Sequence, residues 1–343
     1  MLTKLDTVKI SLALAVALPL AFGGCGKDAA DEFREGVPRH QDVALAFPGG
    51  ADTSATQGAL SAGGASETQA ALLGEKAELY TVTRNVTVVV NTATVAVLGL
   101  VKTITDFPPS SVEMDTAVWG PHTEPLSPNT WRLTVHRTGE GMFSYALDAK
   151  AKTADDTAYL TILSGHHNVA NPGMHRQANL PAYGHGDFLL DWDKAQMLPE
   201  HDDNVGLAAF TYSRETPLSP VTIGVVFTQV LDRDTGMRID ATYDYSETPS
   251  MGGNFQFGIT KDAITTTPAL ETLSVRSRWL ETGAGRSDVK LVGGDVGATA
   301  ATSNECWDSN FLSVYEANSY GDPAKMWGAE SACVFTPAEY AAP

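Results

Sequence analysis

From residue 131 onward the chain alternates apolar and polar residues in short runs, a period that presents one buried face of a strand. Trp131, Leu133 and Val135 are each separated by one polar residue, and the pattern recurs at 143–147, 159–163, 188–192 and 210–212. Further strands are expected at 220–231, 237–245, 254–260, 272–281 and 286–292. Many are divided by turn chemistry, as in Thr138-Gly-Glu-Gly141, Asp232-Arg-Asp-Thr-Gly236 and Gly283-Ala-Gly285. About ten strands on such short links make an antiparallel meander, because parallel neighbours need long crossovers. With polar alternates, one face of the sheet meets water and the other covers a core.

Residues 76–106 have a different period. Val82, Val86, Val90, Ala93, Val97, Leu100 and Ile104 recur at three- and four-residue spacing, which predicts a helix, although the Val and Thr content also suits a strand. No charge falls between Arg84 and Lys102, but Asn85, Thr87, Asn91, Thr92 and Thr94 make a core helix a better reading than a membrane span. Phe107-Pro108-Pro109 ends it, since a residue before proline leaves the helical region. A second, short helix is expected over 304–318, capped by Ser303, with Phe311, Leu312 and Tyr315 on its apolar side. The expected fold is therefore mainly β (α+β): a large curled antiparallel meander or incomplete barrel packed around one long helix, with a short C-terminal helix.

The start of the chain reads as an export signal. Lys4 and Lys9 precede an apolar run from Ile10 to Phe22, and Gly23-Gly24-Cys25 follows. That run is shorter than the roughly 20 residues needed to span a bilayer. Phe22-Gly23-Gly24-Cys25 resembles the bacterial lipobox, although Phe22 stands where Leu is usual. The resemblance implies cleavage before Cys25 and lipidation of its thiol and new amino group. Two or three acyl chains at ~0.8 kcal/mol per buried CH₂ anchor a protein stably. Gly26 and Lys27 follow, with no aspartate to signal inner-membrane retention, which favours the outer membrane. The expected organisation is a signal peptide over 1–24, a flexible tether over 25–75, rich in Gly, Ala, Ser and Thr, and one β-rich domain over 76–343 with its helix at 76–106.

The formal net charge is −18, and losing residues 1–24 removes two lysines and one aspartate, leaving −19. A chain this acidic repels phosphate backbones, so nucleic acid is not an expected partner. Its attachment to a membrane has to be covalent rather than electrostatic.

With Cys25 lipidated, Cys306 and Cys333 remain as an even pair in an exported chain, and a disulfide is expected. Five of the eight histidines, His166, His167, His175, His185 and His201, lie among Asp191, Asp193, Asp202 and Asp203. Zinc or copper favours such groups, and His166, His167, His175 and His185 are the candidate ligands. The spacings match no short metal motif, and 165–184 reads as a long loop, so solvated loop histidines are the simpler reading. Asp232 to Gly236 has the oxygen spacing of a calcium loop's start but also suits a hairpin turn. Asp191 and Asp193 would share one strand face, where paired carboxylates are common without catalysis. The motifs of a nucleophile elbow, a phosphate loop, a dinucleotide fold and a zinc protease are absent. No catalytic residue and no cofactor is assigned, and the reading leans away from an enzyme.

The mature chain resembles the uncharacterised lipoproteins of myxobacterial type. The resemblance rests on Trp119-Gly-Pro, Pro128-Asn-Thr-Trp131-Arg-Leu-Thr, Leu198-Pro-Glu-His-Asp-Asp-Asn204, Glu305-Cys-Trp-Asp308 and Ser331-Ala-Cys333. It implies a lipid-anchored envelope protein and carries no activity with it. In architecture alone, a curled sheet around a helix is similar to the periplasmic lipoprotein-carrier family. Three functions follow as expectations: a non-catalytic binding or structural protein touching an envelope component; a carrier or sensor of a hydrophobic ligand held between sheet and helix; or a metal binder or metal-dependent enzyme using residues 166–203.

Overall fold

The computed structural model describes residues 27–39, 47–49, 73–170, 183–216, 218–232, 236–264 and 266–342. Its frame is an antiparallel meander of 15 strands in which spatial order equals chain order. The strands are β1 Ser111–Val112, β2 Thr116–His122, β3 Asn129–Gly139, β4 Met142–Ala151 and β5 Leu160–Val169. They continue as β6 Gly184–Asp191, β7 Leu207–Arg214, β8 Val221–Leu231, β9 Arg238–Thr248 and β10 Gly252–Lys261. The last are β11 Glu271–Leu280, β12 Gly285–Gly293, β13 Gly297–Trp307, β14 Ser313–Asn318 and β15 Trp327–Gly328. Among the described residues β1 pairs only with β2 and β15 only with β14, so the sheet is open. The helices are α1 Lys27–Glu35, α2 Glu78–Thr105 and the one-turn α3 Trp192–Ala195.

Strict alternation sorts the side chains. In β9, Ile239, Ala241, Tyr243 and Tyr245 are buried while Arg238, Asp240, Thr242 and Asp244 are exposed. The outer face of β9 is thus polar. The inner face is packed ring against ring from strand to strand. Phe188 stacks on Phe210 at 4.3 Å between centroids, Phe227 meets Tyr243 at 5.3 Å, and Tyr243 meets Phe257 at 5.0 Å. Such pairs add about 0.5–1.5 kcal/mol each beyond the area they bury. Glycine makes room where a tyrosine lies across a neighbouring strand: a Cβ on Gly186 would meet the Tyr212 hydroxyl at 2.4 Å.

Several expectations need correcting. The sheet is not built around one long helix: it buries its own aromatic face, to which α2 adds Tyr80, Val86, Leu98 and Val101. Of the expected stripe, Val86 is buried and Ile104 packs against the core, Val82 is exposed, and the side chains of Val90, Ala93, Val97 and Leu100 lie outside the described residues. The buried positions also include Thr83, Thr87, Asn91 and Thr105. Threonine is tolerated there because its hydroxyl bonds back along the helix, Thr83 to the Leu79 carbonyl and Thr87 to the Thr83 carbonyl. At its start α2 meets β12 and β13, where Leu79 N–H donates to Glu305. At its end Arg34 of α1 donates to the Thr105 carbonyl, and the Trp119 indole of β2 donates to the Phe107 carbonyl. It therefore spans from the last strands to the first.

No short C-terminal helix forms over 304–318, which instead belongs to β13 and β14. Cys306 lies opposite Tyr315, and Trp307 opposite Ser313. Asp308 makes the turn, accepting from the main-chain nitrogens of Asn310 and Leu312, and Phe311 takes a φ of 64°. Glu305 and Trp307 alternate with Cys306 about the strand, a two-residue period that a helical reading of Phe311, Leu312 and Tyr315 misses. Within the expected tether, Lys27–Glu35 is helical, and Phe33 packs edge-on against Phe143 of β4 at 6.3 Å. Most of 40–72 lies outside the described residues. Among the described residues no helix is long and apolar enough to cross a membrane.

Candidate functional site

Of the expected loop over 165–184, residues 171–182 lie outside the described residues, but its two ends are strand: the strand expected at 159–163 is β5, Leu160–Val169, so His166 and His167 sit in β5, and His185 sits in β6. Successive residues of a strand face opposite ways, which separates the two adjacent histidines. His166 is exposed and contacts Asp187 across the ladder at 3.2 Å. His167 is buried on the aromatic face, its Nδ1 2.6 Å from the Tyr212 hydroxyl. His185 shares the outer face with His166, lying 2.6 Å from Glu215 and 2.8 Å from Asn168. His175 lies outside the described residues. His201 is in the β6–β7 connection and contacts the Asp202 carbonyl. Among the described residues no group of three or more His, Cys, Asp or Glu is placed to hold a metal.

The neighbouring carboxylates do not pair either. Asp191 caps α3 by accepting from Lys194 N–H, because the strand stops one residue before the expected Trp192. Asp193 instead accepts from Arg238 at 3.0 Å and from Gly206 N–H, which hold its carboxyl below the usual range. Asp232 closes the expected hairpin turn, its carbonyl accepting from Gly236 N–H at 2.7 Å, and its side chain meets Lys261.

The unusual chemistry lies further along, on β11 to β14. On the inner face Glu305 and Glu316 are register partners, 0% and 3% exposed. Glu305 accepts from Leu79 N–H at 2.6 Å, placing it on the N-terminal end of α2, where negative charge is favoured. Burial outweighs that help and pushes its pKa up to about 7. Burial, followed by the charge of Glu305, pushes Glu316 up to about 8, against the pull of Lys325. The Lys325–Glu78 ion pair, at 2.9 Å, closes the site. Two carboxyls this close hold at least one proton near neutrality and titrate as a pair. The same face continues as a hydroxyl chain, with Ser277 2.7 Å from Thr83 and 3.0 Å from Ser287.

On the outer face of the same strands, the chain after β15 lies over three arginines. Arg286 and Asp288 are buried and paired at 2.6 Å; Arg286 also reaches Glu330 at 2.8 Å. Arg278 joins Asp288 at 3.0 Å and Glu339 at 2.6 Å, and Glu339 also takes Arg276. Cys306 and Cys333 form a disulfide that fixes this strap to β13. The bridge closes 27 residues of sequence separation, worth on the order of 3.5 kcal/mol by chain entropy. The cysteines were legible as a pair; the ion cluster beneath them was not, because its members are spaced along separate strands.

Among the described residues, two surface clefts carry charged side chains. One, of about 260 Å³, is lined by residues including Phe47, Trp279, Glu247 and Glu281. The other, of about 420 Å³, is lined by residues including Glu32, Asp115, Arg137 and Glu140. Both have charged walls, unlike the apolar pocket a hydrophobic ligand needs. No protein-family model, curated protein or solved structure matches this chain.

Proposed function

We propose that the chain is an exported lipoprotein, held by lipid on Cys25 at the outer membrane, whose sheet serves a non-catalytic binding or structural role toward another component of the cell envelope. The observation that supports this most is the pairing of a ring-packed interior with a disulfide-clasped C-terminus. A disulfide belongs to an oxidising compartment, and aromatic rings packed from strand to strand suit a rigid scaffold. The polar outer face supplies donors and acceptors across many strands, including His166, Asp187, His185 and Asp244.

The test is the intact mass of the protein from the membrane fraction, beside a Cys25→Ala variant, before and after reduction and alkylation. The reading expects acyl chains on Cys25, loss of membrane association in the variant, and two further thiols only after reduction. An unacylated wild-type protein in the soluble fraction overturns the anchor. Lipid copurifying with the Cys25→Ala variant would favour a carrier. Zinc or copper bound after native purification would favour the metal reading.

A further inference from the structure

The contacts that the chain before α2 makes with the strands cluster at one end of the sheet. Glu32 of α1 pairs with Arg137 near the β3–β4 turn, and Phe33 meets Phe143 just beyond it. Phe47 packs on Trp279 at the end of β11 at 4.7 Å. Gly74 N–H donates to the Ser313 carbonyl, and Ala77 N–H to the Phe311 carbonyl, both at the β13–β14 turn. Strand register places the β3–β4, β7–β8, β9–β10 and β13–β14 turns at this same end, with Met142 opposite Asn168, Gly184 opposite Arg214 and Val221 opposite Glu247.

Those turns carry exposed apolar tips. Met114, before β2, is 84% exposed, Leu218 of the β7–β8 turn 83% and Met251 of the β9–β10 turn 69%. Met142 and Leu73 stand out beside them. The opposite end also exposes Leu126 and Met197, so exposure alone does not choose between the ends. Chain length does. Cys25 precedes α1 by two residue steps, which reach at most about 7 Å. Lys27 to Glu32 is about 7.5 Å of helix, whereas a strand of ten residues is about 33 Å long. The Cα of Cys25 therefore lies within about 15 Å of that of Glu32, which puts the attachment point of the lipid at this end of the sheet rather than the opposite one.

We propose that this end is a membrane-facing rim: Met114, Met142, Leu218 and Met251 enter the interfacial layer of the bilayer that holds Cys25, and the sheet stands with its opposite hairpins projecting away. The proposal rests on the lipid anchor. Glu113, Asp115, Glu140, Glu215 and Glu281 share the rim, so the occupant is a zwitterionic lipid surface contacted by apolar side chains, not an anionic one held by charge.

The test places a bimane label on Leu218→Cys, Met251→Cys or Leu126→Cys in the full lipidated chain, without reductant so that the disulfide stays closed. Each is reconstituted in phosphatidylcholine vesicles with and without doxyl-labelled phosphatidylcholine. Quenching at 218 and 251 is expected to exceed that at 126 by roughly twofold or more. Intact mass of the same samples separates the outcomes. An unacylated Cys25 refutes the anchor and this orientation with it. An acylated chain with equal quenching at all three positions, or greater quenching at 126, refutes the orientation alone.

Discussion

The carboxylate pair makes stability depend on pH in a direction opposite to that of an ordinary surface carboxylate. Below about pH 4.5 Glu305 and Glu316 are neutral in the folded and the unfolded chain, and burying them carries no ionic cost. As pH rises from there the unfolded chain ionises first, while the folded pair keeps its protons until about 7 and about 8. Stability therefore falls through this window and levels off above it. At 1.36 kcal/mol per pH unit, raising Glu305 from 4.5 to about 7 costs on the order of 3 kcal/mol once it ionises. Glu316 adds less than its own rise implies, since it neighbours the partly exposed Lys325–Glu78 pair, where solvent screens charge. The pair together costs on the order of 4 kcal/mol at pH 8.5. Glu316→Gln keeps the shape and removes one charge along with its repulsion of Glu305. Melting of the Cys25→Ala chain and of the same chain with Glu316→Gln, from pH 5 to 8.5, should converge at pH 5 and diverge above pH 6. The variant should be more stable by about 2 kcal/mol at the alkaline end. The other titrating groups are common to both chains and cancel. Parallel curves, or divergence at acid pH, would refute the reasoning.

Cys306→Ser should lower stability by on the order of 3.5 kcal/mol and expose the strap after β15 to early proteolytic release; unchanged cleavage would mean the ion cluster alone holds it. Arg286→Ala leaves Asp288 buried with less compensation and should cost about 3–5 kcal/mol in urea unfolding, with Arg286→Met/Asp288→Leu recovering part of that loss. If the double variant is worse than the single, the cluster is not acting as an ion pair. Phe188→Ala should cost about 3–5 kcal/mol, and a loss below about 1 would mean that the interior is loosely filled. Gly165→Ala would put a Cβ 2.1 Å from the Asp187 carbonyl oxygen, so hydrogen exchange should quicken along β5 and β6; unaltered exchange would show that the ladder tolerates the side chain.

The middle of the sheet was legible because inner and outer residues there differ in kind, as in Ile223, Val225 and Phe227 against Thr222 and Thr228. The signal weakens where both faces are covered. In β12 the run Gly285, Arg286, Ser287, Asp288 is buried throughout, the strap sealing one side and the hydroxyl chain the other, so alternation vanishes. β13 and β14 fail for the same reason and because Phe311 occupies a turn rather than a helix face. β5 extends through His166 and His167 because Gly165 admits Tyr145 from the neighbouring strand, a fit that spacing does not reveal. The helix was readable by period, but the burial of Thr83 and Thr87 was not, since threonine hydroxyls that bond backward can be buried without appearing apolar. The disulfide partners could be paired by count. Glu305 and Glu316, 11 positions apart, could not be paired until β14 folded back on β13.

Strand order that follows chain order has a consequence for assembly. Each ladder joins strands that are neighbours along the chain, so it closes at small entropic cost. Different in kind are the joins between Leu79 and Glu305, Thr83 and Ser277, and Glu78 and Lys325, which link residues about 200 or more apart. They close far longer loops than any neighbouring-strand ladder, and they tie the beginning of the chain to its end. The fold thus combines local hairpin ladders with a few long-range joins, and one of these, Leu79 to Glu305, is made by a buried acid whose pKa is pushed up to about 7.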